Sequence, residues 1–281
     1  MTEVHVVRTI SELRAHVRDW HKAGETVALV PTMGALHRGH LALVEEGLRQ
    51  ADRVMASIFV NPKQFAANED FGAYPRQEAD DIEKLRQAGA DLAFVPGPQE
   101  MYRPGFATGV TVAGPAVQGL EDRFRPHFFG GVATVVAKLL IQSQCDVALF
   151  GEKDYQQLLV VKQMARDLDI PCRIIGCETV READGLAMSS RNAYLSAEER
   201  RTASLIPAQL RFVADAVRAG EDVAQAIAKA SAMLGEAGFV VDYFELRNGK
   251  TLAPNADPAN PRRLLVAARL GRTRLIDNIA I

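Results

Sequence analysis

At 281 residues the chain is long enough for one large or two modest domains, and its 48% hydrophobic and 24% charged fractions are those of an ordinary soluble globular protein. A formal net charge of −2 supplies no basic field for nucleic acid and no polybasic patch for a membrane surface. No apolar run is long enough to span a bilayer, and the polar opening Met1-Thr2-Glu3 has no signal-peptide pattern, so the cytoplasm is the expected compartment.

An amphipathic helix is expected over residues 8–23, capped by Thr9 or Ser11. Residues 26–30 then read as a buried strand, Pro31 to His40 as a tight glycine-bearing connection, and the next stretch as a helix with its apolar face at Leu41, Val44, Leu48 and Ala51. Further strands are expected at 54–60, ended by Asn61-Pro62, at 91–95, stopped by Pro96-Gly97-Pro98, and at 146–150 and 172–177. A loop at 70–76 and helices near 76–88, 130–140 and 154–168 fall between them. From 99 to 129 Pro, Gly and clustered charge make a long irregular segment, which is uncommon inside a compact domain and often functional.

Strands alternating with helices argue for an α/β domain with a parallel sheet covered on both faces, whose ligands bind beyond the carboxyl ends of the strands. His37 and His40, Asn61 and Gln64, and Lys153 and Asp154 all follow strands directly, so their loops are expected to meet at one crevice. Beyond 177 a turn-rich stretch, Arg181 to Asn192, leads to a capping box at Ser196-Ala197-Glu198-Glu199. Helices at 197–218 and 222–236 and strands near 239–247, 263–269 and 273–279 follow. The expected division is therefore 1–176 and a smaller α+β domain at 177–281. Cys145, Cys172 and Cys177 form no paired framework and read as buried reduced thiols.

Several short blocks could carry chemistry, and each has a plainer alternative. His37-Arg38-Gly39-His40 sits where a helix N-terminus favours an anion, and imidazole donors there suit a nucleotide polyphosphate; half a zinc site or two surface histidines are the other readings. Asn61-Pro62-Lys63-Gln64 is either a substrate loop or a strand-ending turn. In Gly151-Glu152-Lys153-Asp154-Tyr155-Gln156-Gln157, Asp154 and Gln157 would make a capping box. Lys153, by contrast, opposes the helix dipole unless an anion lies between them. Met188-Ser189-Ser190-Arg191 can close over a phosphate or be a solvated linker, and Arg123, Arg125 and His127 are equally open.

Taken together and in order, these blocks, with Tyr74-Pro75-Arg76, Asp184 to Asn192 and the closing Arg274-Leu275-Ile276-Asp277-Asn278-Ile279, resemble the pantoate–β-alanine ligase family over essentially the whole chain. The resemblance implies a Rossmann-like nucleotide-binding domain, a C-terminal lid domain, a homodimer, and ATP with Mg²⁺ as its counter-ion, the metal's protein ligands being left unassigned. It also implies two half-reactions, in which (R)-pantoate is adenylated and β-alanine then displaces AMP. His37, His40 and Lys153 are implied as catalytic, with His40 as proton donor. Met33, Gly34, Ala35, Leu36, Arg38, Gly39, Gly151, Glu152, Asp154, Val180, Met188, Ser189, Ser190 and Arg191 are implied in ATP binding, together with the catalytic three. Gln64, Gln157, Asn61, Tyr74 and Arg125 are implied at the acid substrate. One departure stands out. Where the family reads Arg-Pro-x-His-Phe, residues 125–129 put Phe128 at the histidine position, so either His127 swings in or that histidine is dispensable. A related adenylyltransferase for another small acid, or a nucleotide sensor without turnover, are the alternatives.

Overall fold

The computed structural model describes residues 3–65, 71–254, 257 and 259–281. Asp70, the first residue of the expected loop, lies outside the described residues, as do Met1 and Thr2. The strands β1 (His5–Val7), β2 (Val27–Thr32), β3 (Arg53–Ile58), β4 (Leu92–Phe94), β5 (Val147–Gly151) and β6 (Arg173–Cys177) form one parallel sheet in the order β1-β4-β3-β2-β5-β6. Their side chains alternate between two cores. Val27, Leu29, Ala148 and Phe150 face one side, and Ala28, Val30, Val147 and Leu149 the other, so both faces must be covered and the strands read as continuous apolar runs.

Helices α1 (Ile10–Lys22), α2 (Arg38–Gln50) and α3 (Glu78–Ala88) connect the first four strands. The short turns α4 (Pro98–Met101) and α5 (Glu121–Phe124) lie in the long segment, and α6 (Phe128–Ser143) and α7 (Tyr155–Asp167) flank β5. Residues from α1, α6 and α7 fill the first core, and residues from α2 and α3 the second. Thr9 caps α1 in a reciprocal box with Glu12. β1 was not expected, because three residues are too few to show a period.

Three local expectations are corrected. In α2 the buried residues are Leu43, Val44 and Gly47, whereas Leu48 is 45% exposed. Gly47 is the contact point because the helix lies so close to the sheet that a Cβ there would come within 3.2 Å of both Val54 methyls. Asp154 makes no side-chain cap on α7, so the box with Gln157 does not form. Cys172 and Cys177 are only half-buried; all three thiols are free, and Cys145 Sγ lies 3.4 Å from Cys172 Sγ.

After β6 the chain builds α8 (Ala197–Ala203), α9 (Leu205–Arg218), α10 (Val223–Glu236) and an antiparallel sheet of β7 (Phe239–Asn248), β8 (Arg262–Leu270) and β9 (Thr273–Ala280). The capping box at Ser196 and Glu199 forms as expected. The single helix expected at 197–218 is two, because Pro207 has no N–H to donate and its ring crowds the carbonyl of Ala203, where α8 stops. One face of this sheet packs on α8–α10 through Ala203, Leu210, Ala230 and Leu264. Tyr243, Leu265 and Ala267 turn the other face onto Leu120, Tyr155 and Leu159. Among the described residues no helix is long and apolar enough to cross a membrane.

Candidate active site

The sheet order reverses at β2, whose outgoing chain turns toward β3 while β5 pairs on its other side. Loops leaving β2 and β5 therefore part at their carboxyl ends and leave a crevice. A cavity of about 620 Å³ opens there, within the range of small-molecule sites.

The loop after β2 is shaped from behind. Gly34 has φ +82° and Ala35 φ +51°, both left-handed, and the wholly buried carboxylate of Asp81 on α3 accepts the N–H groups of Ala35 at 2.8 Å and Leu36 at 2.7 Å. A Cβ on Gly34 would lie 3.0 Å from Asp81 Oδ2 and 3.2 Å from Ile58 Cγ2. Lys84, one turn along α3, donates to the Leu36 carbonyl at 2.9 Å. Sequence reasoning missed Asp81, since an acid in the first turn of a helix already satisfies the dipole and asks for no further explanation.

His37 and His40 cap α2 with their own rings. The Gly39 N–H donates to His37 Nδ1 at 3.1 Å, and the His37 N–H donates to His40 Nδ1 at 3.3 Å. Both Nδ1 atoms are thus acceptors, so each neutral ring carries its proton on Nε2 and keeps that N–H to offer the cavity that both rings line. The rings lie 4.1 Å apart. Burial, with Lys153 adding to it, pushes His37 down to about 4; burial, with His37 and Lys153 adding, pushes His40 down to about 3. Both are neutral at pH 7. Part of the N–H donor set that a helix start would offer an anion is therefore already used by imidazoles, and the Nε2–H groups take its place. Gly39 permits this, since a Cβ there would meet His37 Cε1 at 2.8 Å.

Across the crevice, Gly151, Lys153, Asp154 and Gln157 line the cavity from β5 and the start of α7. Lys153 Nζ stands 3.5 Å from Asp154 Oδ2. The backbone here is clamped by the C-terminal sheet: buried Asn278 on β9 donates to the carbonyls of Glu152 at 2.8 Å and Lys153 at 2.9 Å. Arg263 on β8 pairs with Glu152 at 2.9 Å, donates to Asn278 Oδ1 at 2.8 Å and lies over the Tyr155 ring. Arg263 was not singled out in the sequence, and Asn278 stood in the closing block of the resemblance with no role at the site, because β8 and β9 follow 151–154 by more than a hundred residues and nothing local signals the contact.

The Asn61 and Gln64 turn is brought to the same cavity together with Met33, Tyr74 and Arg125. Asn61 is 1% exposed and bonded on all sides by protein. The side-chain amide of Gln157, half-buried on the cavity wall, makes no hydrogen bond among the described residues and is open to a ligand. Arg125 Nη2 donates to the Gln64 carbonyl at 3.2 Å, and the guanidinium sits 3.7 Å above the centroid of buried Phe128. His127 is exposed at the start of α6 and off the cavity wall, so it does not swing in to replace the family histidine. Glu121 stands 3.7 Å from Arg125, receives Arg274 of β9 in two bonds of 2.7 and 2.8 Å, and accepts from Tyr243 at 2.8 Å. None of these three was expected at the site.

Val180, Met188, Ser189, Ser190 and Arg191 close a further side. The Val180 carbonyl accepts the Met188 N–H at 3.0 Å, Ser189 caps the turn at Arg191 N, and the Ser190 hydroxyl donates to the Ala35 carbonyl at 3.2 Å. The serine loop is thus already pinned to the histidine loop. Five residues expected at the nucleotide, Gly34, Ala35, Leu36, Arg38 and Glu152, do not line the cavity. Gly34, Ala35 and Leu36 shape the loop over Asp81, Glu152 anchors Arg263, and Arg38 is exposed. No group of three or more His, Cys, Asp or Glu among the described residues is placed to hold a metal, and Asp81 is engaged by backbone.

A family model described as Pantoate-beta-alanine ligase matches residues 5–280. A curated pantothenate synthetase of Caulobacter vibrioides is 58% identical over 285 residues, covering 100% of both chains. Among solved structures, a pantothenate synthetase of Thermus thermophilus superposes with a TM-score of 0.92 at 47% identity, covering 98% of this chain and 99% of that one. A pantoate-beta-alanine ligase of Francisella tularensis, complexed with beta-gamma ATP and beta-alanine, superposes with a TM-score of 0.83 at 30% identity, covering 98% and 97%.

Proposed function

The chain belongs to the pantoate–β-alanine ligase family, and on that premise we propose how its own residues join (R)-pantoate to β-alanine. The pantoate carboxylate attacks the α-phosphorus of ATP and displaces pyrophosphate, giving pantoyl adenylate. The amine of β-alanine then attacks the activated carbonyl and displaces AMP. A carboxylate is a poor acyl donor, and adenylation supplies the leaving group.

The observation that carries this reading is the pair of imidazoles locked as Nε2–H donors, facing Lys153 across the switch point. Negative charge moves onto the departing pyrophosphate in the first step, and fixed donors with a nearby ammonium stabilise it there. Adenylation needs charge stabilisation at the phosphates more than a proton, so His37 and His40 act mainly as hydrogen-bond donors through Nε2–H, and the proton-donor label for His40 is secondary. Ser189, Ser190 and Arg191 hold the outer phosphates, and the Val180 backbone the adenine side. Gln64, Gln157 and Arg125 hold pantoate. Mg²⁺, as the counter-ion of ATP, enters on the nucleotide's phosphates.

We further infer a division at 176/177, with the C-terminal part acting as a lid, and a homodimer in the cytoplasm; the dimer rests on the family likeness, and light scattering of the purified protein tests it. The reaction itself is tested by pyrophosphate exchange into ATP with pantoate present and β-alanine absent. Pantoate-dependent exchange is expected. Its absence from a folded, ATP-binding protein would overturn the reading and leave another acid substrate, or a sensor without turnover.

A further inference from the structure

The side-chain amide of Gln64 is held in one orientation by groups that have no choice. The Lys63 N–H can only donate, and it lies 3.2 Å from one terminal atom of Asn61, which is therefore the oxygen Oδ1. The Gly131 carbonyl can only accept, and it lies 3.2 Å from the other, which is therefore Nδ2. That nitrogen also stands 3.1 Å from the Gln64 amide, so the Gln64 atom facing it is the acceptor Oε1. The NH₂ of Gln64 is turned the other way, where its partner in the protein is the Met33 sulfur at 3.0 Å. A thioether is a weak acceptor, so a strong donor is left for whatever enters the cavity that Met33 and Gln64 both line.

Behind this pair stands Tyr102, from the long irregular segment. Its hydroxyl donates to Asn61 Oδ1 at 2.7 Å, the shortest bond Asn61 makes, and its ring packs between Phe59 and Phe106. Tyr102 does not line the cavity. Burial raises its hydroxyl above the ordinary tyrosine value, so it remains a donor throughout the working pH range. Asn61 is 1% exposed and Gln64 9%, which leaves water little access to replace a missing bond in the relay.

We propose that Tyr102 is a positioning residue for the acid substrate: its hydroxyl adds a further bond to Asn61, whose orientation Lys63 and Gly131 set, and so steadies Gln64 in place with the NH₂ toward the cavity, where the site takes an oxygen acceptor and refuses a donor. The ligand chemistry this selects is a carboxylate or hydroxyl oxygen with a free lone pair. The proposal rests on the reading that Gln64 contacts pantoate.

Tyr102→Phe keeps the ring and removes the one bond. The KM for pantoate is expected to rise about three- to tenfold, the scale of one lost buried hydrogen bond, while the KM for ATP stays within twofold. In a Gln64→Ala background the same substitution is expected to add nothing, because the amide it orients is gone. A purely structural role for the hydroxyl would move both KM values, or would move the pantoate KM equally in both backgrounds, and either result overturns the proposal. So does an unchanged pantoate KM in Tyr102→Phe while Gln64→Ala raises it. If Gln64→Ala itself leaves the pantoate KM where it was, the role of Gln64 fails and the relay with it, a result distinct from failure of the relay alone.

Discussion

At the scale of single residues, the two imidazoles do double work, capping α2 through Nδ1 and facing the cavity through Nε2. His40→Ala is expected to lose about 10²–10³-fold in pantoate-dependent pyrophosphate exchange, the scale of one transition-state donor, and a loss below about threefold would refute the role. Their depressed values also set a pH dependence. Between about pH 6.5 and the folded values of about 4 for His37 and about 3 for His40, the unfolded chain takes up protons that the folded rings refuse. Stability from this source is therefore full above pH 6.5 and falls as the pH drops through that window. Imidazole proton shifts followed by NMR from pH 7.5 to 4.5 should show neither ring titrating near 6.5; a midpoint there for either would contradict the burial that lowers it.

At the scale of elements, the connections matter more than the strands and helices they join. Asp81→Ala strands the N–H groups of Ala35 and Leu36 and should cost about 1–3 kcal/mol for each in urea unfolding; a total loss under about 0.5 kcal/mol would show that the loop holds its shape without α3. Gly131 is the corresponding point on α6, where a Cβ would fall 2.1 Å from the Lys63 carbonyl oxygen, a collision with backbone. Gly131→Ala is expected to displace the 62–64 turn and to raise the pantoate KM more than the ATP KM in steady-state assays. The alternation of apolar strands and amphipathic helices was enough to read the parallel sheet, and the glycine- and histidine-bearing connections to place the crevice. What stayed hidden was of two kinds. Three-residue β1 is too short for a period, and the break before Pro207 is a single steric event inside a helical pattern. Asp81, Tyr102, Gly131 and Asn278 act on parts of the site from 41 to 126 residues away in sequence, or through bare backbone contact, and neither leaves a mark in local composition.

At the scale of the whole molecule, the C-terminal sheet is built into the β5 side of the cavity. Arg181 and buried Asp277 pair in two bonds of 2.7 and 2.9 Å, while the next residue, Asn278, holds the 152–153 backbone. Asn278→Ala is expected to weaken ATP binding several-fold in calorimetric titration without unfolding the sheet, whose core is Leu264, Val266 and Leu275. An ATP affinity equal to that of the parent protein would show that the clamp does not reach Lys153.

The clamp also has a consequence in time. Asn278 lies 126 residues after Glu152, so the strand that seats the loop after β5 is made long after the loop itself. A growing chain can complete the six-stranded sheet and still lack a seated Lys153, and a chain broken off before β9 never acquires one. Order of synthesis thus becomes order of assembly: the 152–153 backbone is clamped only once β9 has been made.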